Sequence, residues 1–282
     1  MPETMRMTFV GDEGISLIAD TVGAPSNGSV IFAHGGGQTR HAWAKAGERV
    51  AADGWRAVMV DLRGHGESDW APSGDYRLQK FAADLIAVAG TLGGRPHLVG
   101  ASLGGLAGMM AEAYLREGTF ASLTLVDITP HMEPAGVAKV MGFMSDKLEE
   151  GFATVEEAAD VIASYMPHRP RPADLSGLAK NLRQSADGRY RWHWDPRFVT
   201  SVMQTRDRHS MEDMQARLGE LRLPIHLIRG RMSELVTEEN AKLFLNSTPN
   251  ASYTDIAGAG HMVAGDRNDA FVDAVVAFLS AQ

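Results

Sequence analysis

Five runs of this chain are apolar along nearly their whole length, and each ends in a glycine cluster or a polar loop: SVIFAHGGG, WRAVMVDLRGHG, PHLVGASLGG, FASLTLVDITP and LPIHLIRG. A strand with one wet face alternates apolar and polar residues, whereas a continuous apolar run must be covered on both faces. Between the runs lie stretches with helical spacing, such as YRLQKFAADLIAVAGTL, where Leu78, Phe81, Leu85, Ile86 and Ala89 recur on one side. This alternation predicts an α/β fold: a mostly parallel sheet with helices on both faces. Residues 5–10 and 15–20 read as two further short strands around a turn at Asp12–Gly14.

The rhythm stops at Pro130 and resumes near Leu221. Amphipathic helices are expected at 134–150, 154–165, 174–184 and 198–218, separated by the proline-rich MPHRPRP and the aromatic RYRWHWDPRF. The chain is therefore expected to divide into an α/β core, residues 1–129 and 222–282, and a helical cap, residues 130–221. A length of 282 residues suits a single core carrying such an insertion.

Composition excludes several classes of function. The net charge of −8, with no basic stripe, opposes binding to nucleic acid or to an anionic membrane. The absence of cysteine removes disulfides, thiolate nucleophiles and cysteine-ligated metals. The start, MPETMRMTFV, has neither the basic nor the apolar segment of a secretory signal, and the apolar runs are too short to span a bilayer. A cytoplasmic protein without membrane insertion is expected, acting on a small molecule. Oligomeric state is left open between monomer and homodimer. No cofactor or metal is expected: His-Glu-x-x-His is absent and WHWD has no second ligand cluster. The GHG at 64–66 lacks dinucleotide-binding glycine spacing, and the GGG at 35–37 lacks a following Gly-Lys-Ser/Thr.

Three glycine-flanked stretches carry the chemistry. GASLG, 100–104, fits the G-x-S-x-G turn between a strand and a helix, with Ser102 as candidate nucleophile. The helix that follows aims its first N–H groups at negative charge forming near that serine. AHGGG, 33–37, follows an earlier strand and brings side-chain-free backbone close, so the N–H groups of Gly36 and Leu103 are the candidate oxyanion donors. His34 reads as holding that loop. GAGHM, 258–262, places His261 in a loop after the last strand. A serine hydroxyl needs a base, and ten histidines compete for the role. His97 and His226 begin strands, His65 sits in a glycine turn, and His41, His131, His168, His193 and His209 fall in helical or cap stretches. Only His261 combines a strand-to-helix loop, a glycine setting and a position after Ser102.

Taken together, the HGGG loop, DLRGHGESD, LVGASLGG, the helical excursion and the terminal AGAGHM resemble the α/β-hydrolase superfamily along essentially the whole chain. The resemblance implies an eight-stranded, mostly parallel sheet with a cap inserted after the sixth strand, and cofactor-free Ser-His-Asp/Glu hydrolysis. The superfamily also holds perhydrolase or haloperoxidase-like members, lyases, carbon–carbon bond hydrolases and non-catalytic receptors, so these readings stand beside that of a carboxylic ester hydrolase. A serine at the nucleophile position separates this chain from dehalogenases and epoxide hydrolases of the same fold, which need a carboxylate there.

The third member, a carboxylate that orients the histidine, is where the chain departs from the family pattern. After the seventh strand the pattern G-x-x-D would require Asp at position 233, but IRGRMSELVTEE has Ser233, with Glu234 one place late. Asp127 ends the strand LTLVD and lies on the expected catalytic edge of the sheet. It is the favoured acid, and the VDITP stretch resembles a subgroup of small acyl esterases with the acid after the sixth strand. Glu234 is the alternative acid. Asp61 precedes the serine, adjoins the Arg63 loop and reads as structural. In the cap, Met141, Phe143, Met144, Phe152, Tyr165, Trp192 and Trp194 are either pocket walls or the cap's own core. Arg191, His193 and Asp195 read as a tether from cap to core or as a polar end of the pocket.

Overall fold

The computed structural model describes residues 3–167, 171, 173–179, 181–204 and 211–282. In chain order its strands are β1 (Met5–Val10), β2 (Ser16–Val22), β3 (Ser29–Ala33), β4 (Arg56–Val60), β5 (His97–Ala101), β6 (Leu123–Val126), β7 (Leu182–Gln184), β8 (Tyr190–Trp192), β9 (Ile225–Gly230) and β10 (Ala251–Ile256). Eight of them form one sheet in the order β1-β2-β4-β3-β5-β6-β9-β10, and β7 pairs with β8 in a separate hairpin. The pairs from β4 through β10 are parallel, while β1–β2 and β2–β4 are antiparallel.

Continuous apolar runs become central strands because successive side chains enter different cores. Ile31, Val58, Leu98, Leu125 and Leu227 face the helices Leu78–Leu92 and Leu103–Met110 on one side. Val30, Phe32, Met59, Val99 and Ile228 face the helices Ala44–Ala52 and Asn268–Leu279 on the other. Each fully buried Val, Leu, Ile or Phe contributes roughly 1.5–3 kcal/mol relative to exposure, so the covered sheet is the main source of stability.

Between β6 and β9 the chain leaves the sheet, as a helical insertion after the sixth strand. It contains helices Pro134–Ser145, Val155–Tyr165, Ser176–Ala179, Pro196–Gln204 and Met211–Glu220. The helix at 155 starts on Thr154, whose side chain accepts the Glu157 N–H. The helix expected at 174–184 is a correction: only one turn forms, and Leu182 then pairs with Trp192 across the β7–β8 hairpin. RYRWHW alternates with the period of a strand, and that alternation overrides a weak helical pattern in its partner. The span 198–218 is two helices, with residues 205–210 outside the described residues.

Asp61 is structural: the Glu67 N–H of the adjoining Arg63 loop donates to its Oδ2 at 2.9 Å, although Arg63 itself is not its partner. Asp61 also accepts from the Arg40 backbone N–H at 2.7 Å and guanidinium at 2.5 Å, whereas Arg63 forks onto Asp84 at 2.6 and 2.7 Å. Among the described residues no helix is long and apolar enough to cross a membrane.

Candidate active site

Strand register brings the chemistry to one rim. Ala33 is level with Gly100, Ala101 with Val126, Val126 with Ile228, and Gly230 with Ile256. The loops that follow β3, β5, β6, β9 and β10 therefore leave the sheet side by side at its carboxyl edge. They carry the HGGG stretch, Ser102, Asp127, Ser233 and His261 in turn.

Ser102 occupies a left-handed backbone conformation, φ 45° and ψ −112°, immediately before the helix Leu103–Met110. Asp127, with φ 50°, shares this state. A non-glycine residue held there costs of order 1–3 kcal/mol and persists only where its surroundings fix it. The surroundings of Ser102 are glycines: a Cβ at Gly104 would stand 2.3 Å from the Ala33 carbonyl oxygen, and one at Gly100 2.6 Å from the backbone of Gly104. Only side-chain-free residues let the elbow press against β3.

Asp127 is fully buried at the end of β6 and receives three partners. The Gly230 N–H donates to Oδ1 at 3.0 Å, the Ser233 hydroxyl donates to Oδ2 at 2.6 Å, and His261 Nδ1 lies 2.7 Å from the same Oδ2. Glu234 is directed elsewhere: its side chain is 64% exposed and pairs with Lys139 at 2.5 Å. Gly230 brings the surroundings of Asp127 and the histidine loop together, because a Cβ there would lie 2.2 Å from the Gly260 carbonyl oxygen. Ser102 and His261 border one cavity. No hydrogen bond joins them among the described residues, and such contacts commonly tighten only around bound substrate.

Around the oxyanion loop, the Gly35 N–H donates to Gln38 Oε1 at 2.8 Å, so it is committed to the protein. The N–H groups of Gly36 and Leu103 have no acceptor among the described residues. Met144 and Phe198 of the cap lie 3.3 and 3.4 Å from where a Gly36 side chain would begin, so the cap roofs this loop directly. Gln38 also reaches Met262 Sδ at 3.6 Å, tying the oxyanion loop to the histidine loop. No periodicity or motif singled it out.

Beneath this loop lies a stack of buried imidazoles, with His65 5.3 Å from His34 and 5.9 Å from His193 between ring centroids. His34 Nε2 accepts the Leu62 N–H at 3.0 Å and Nδ1 contacts the Gly35 carbonyl at 2.8 Å, as expected of a residue holding the loop. His193 Nδ1 accepts the Gly66 N–H at 2.8 Å, and its Nε2–H donates to the Gly37 carbonyl at 3.2 Å. Asp195 accepts the Tyr76 hydroxyl at 2.6 Å. His193 and Asp195 are thus the tether from cap to core, while Arg191 pairs with Asp187 inside the cap. His168 and His209 lie outside the described residues.

Burial lowers the proton affinity of these rings. It takes His193 from the ordinary 6.5 to about 4 and puts His65 well below that ordinary value, with the neighbouring imidazoles adding to the effect on His65. His226, on β9, is likewise pushed down to about 4 by burial. Each ring is neutral when folded but takes a proton near pH 6.5 when unfolded, so the unfolded state binds more protons between those values. Stability should therefore fall as pH drops from about 6.5 towards 4, by on the order of 3 kcal/mol for each of His193 and His226. Urea unfolding at a series of pH values checks this; an unfolding free energy that stays flat from pH 7 to 4.5 would contradict it.

The cavity has a volume of about 770 Å³ and extends from Ser102 and His261 up into the insertion. Phe143, Met144, Tyr165, Trp192 and Trp194 border it. Phe143 stacks on Tyr165 at 4.3 Å and Trp192 on Trp194 at 4.8 Å, so these side chains also pack one another. Phe152 does not border the cavity; it is fully buried and meets Trp192 edge-on.

A family model described as the alpha/beta hydrolase family matches residues 30–274. An esterase of Mycobacterium tuberculosis is 30% identical over 255 residues, 87% of this chain and 80% of that protein. A 2-(acetamidomethylene)succinate hydrolase of Mesorhizobium japonicum is 26% identical over 233 residues, 82% of this chain and 80% of that protein. Among solved structures, an alpha/beta hydrolase from Novosphingobium aromaticivorans superposes with a TM-score of 0.82 at 21% identity, covering 99% of each chain.

Proposed function

We propose that this chain, which belongs to the alpha/beta hydrolase family, is a serine hydrolase that transfers the acyl group of a small or medium, partly apolar carboxylic ester to water. It is an enzyme of that fold, related to bacterial esterases and hydrolases. The observation that carries the reading is the buried Asp127 carboxylate 2.7 Å from the ring of His261, which borders the same cavity as Ser102. Ester cleavage is favoured by the likeness to the mycobacterial esterase and by an apolar cavity whose walls include Phe143 and Trp194. Residues 1–129 and 222–282 are proposed as the core and 130–221 as the cap; a cytoplasmic setting belongs to the same proposal.

In this mechanism His261 Nε2 takes the Ser102 proton as Oγ attacks the ester carbonyl. The carbonyl electron pair moves onto oxygen, which the N–H groups of Gly36 and Leu103 receive. Collapse of that intermediate expels the alcohol, protonated by His261, and leaves an acyl-serine. Water then attacks with His261 again as base, the second intermediate collapses by breaking its bond to Ser102 Oγ, which takes the proton back from His261, and the acid departs. Two preorganised donors matter because losing one typically costs about 2.7–4 kcal/mol of transition-state stabilisation. Asp127 keeps the ring in the useful orientation and stabilises the imidazolium.

Incubation with a fluorophosphonate followed by peptide mass mapping is expected to place one adduct on Ser102, and p-nitrophenyl acyl esters are expected to turn over. An adduct on another residue, or none on folded protein, would remove the nucleophile assignment.

A further inference from the structure

We propose that Ser233 is a positioning residue that acts through Asp127 to fix the tautomer of His261, an inference that rests on the functional reading above. The side chain stands where the family's usual carboxylate is replaced, yet it is wired into the acid. Its Oγ accepts the backbone N–H groups of Leu235 and Val236, both at 3.1 Å. A hydroxyl has two acceptor lone pairs and one proton. With both lone pairs engaged by N–H donors, the proton has one remaining direction, towards Asp127 Oδ2 at 2.6 Å. That distance is typical of a charge-assisted O–H to carboxylate bond.

The consequence passes to the histidine. Oδ2 receives the Ser233 proton and Oδ1 receives the Gly230 N–H, so both oxygens of the carboxylate act as acceptors. With Oδ2 an acceptor only, His261 Nδ1, 2.7 Å away, carries the hydrogen. In the uncharged ring this leaves Nε2 free to take the serine proton. The turn that holds Ser233 is itself anchored: the Ser233 N–H donates to the Gly230 carbonyl at 2.9 Å, and Arg229 Nε holds the Val236 carbonyl at 2.7 Å. Ser233 does not border the cavity among the described residues, so its influence falls on the rate of the chemical step rather than on substrate binding.

The test compares wild type, Ser233→Ala and Ser233→Thr, each with its active sites counted by fluorophosphonate labelling of Ser102. Per labelled serine, kcat of Ser233→Ala is expected to fall by about 10- to 100-fold, the scale of one hydrogen bond to a charged group, with KM unchanged. Ser233→Thr, which keeps the hydroxyl, is expected to recover most of the loss. A wild-type kcat per labelled site in Ser233→Ala, or a loss in Ser233→Thr as large as in Ser233→Ala, would overturn the proposal and leave the functional reading in place. Absence of labelling in the wild type would overturn both. Should Ser233→Ala fail to fold, nitrogen NMR of wild-type histidines decides instead. The resonance missing from His261→Gln should report Nδ1–H in the uncharged ring, and an Nε2–H tautomer there would defeat the proposal.

Discussion

Ser102→Ala is expected to lower kcat on p-nitrophenyl esters by on the order of 10⁶-fold, the scale reached when an activated serine is removed from a triad that acts as a unit. What remains is whatever the oxyanion donors achieve with water alone. The substitution deletes one heavy atom from the wall of a cavity and leaves the elbow's backbone unchanged, so the folded state should survive. A companion variant separates chemistry from strain. Because residue 102 sits at φ 45°, Ser102→Gly should be as inactive as Ser102→Ala yet more stable than it by up to ~1 kcal/mol, since glycine meets no Cβ penalty there. Turnover by Ser102→Ala within tenfold of wild type would show that the nucleophile lies elsewhere.

Asp127→Asn is expected to cost about 10⁴-fold in kcat, with Glu234→Gln within a few-fold of wild type. An amide can answer only one of the two donors at this residue, the Gly230 N–H at Oδ1 and the Ser233 hydroxyl at Oδ2; with its oxygen kept at the Gly230 N–H, its NH₂ faces His261 and costs the Ser233 contact. An NH₂ opposite Nδ1 makes that nitrogen the acceptor and moves the ring hydrogen to Nε2, where it faces the serine and cannot serve as base. Glu234 has no comparable leverage, since its carboxylate is largely exposed and paired with Lys139. Steady-state rates of both variants decide the matter: a crippled Glu234→Gln beside an active Asp127→Asn would reverse the proposed assignment of the acid.

The parts of the fold that were legible are those where local pattern and tertiary environment agree. Continuous apolar runs became central strands because each successive residue found a core, as Ile31 and Phe32 did on opposite faces of β3. The insertion was legible as an interruption but less so in detail. One predicted helix became a turn and a hairpin, because Leu182 pairs with Trp192 and the cap's aromatic packing outweighs a short amphipathic signal. The roles of His193 and Asp195 could not be separated on sequence alone. A tether and a pocket wall call for the same residue types, and only the position of Gly37, Gly66 and Tyr76 opposite them distinguishes the two.

Position 233 shows the same boundary at the candidate site. An uncharged residue there cannot supply the acid, since a serine cannot stabilise an imidazolium by charge. The sequence does not disclose that its hydroxyl points at Asp127, the proposed acid, 106 residues away along the chain. The sequence by itself determined the sheet and the interruption after the sixth strand, and it named the candidates for nucleophile and base, because periodicity and glycine placement are local properties. Only the tertiary structure decided which carboxylate meets His261 and what holds the oxyanion loop beneath the cap, because hydrogen bonds a few ångströms long depend on strand register and loop direction that no local pattern encodes.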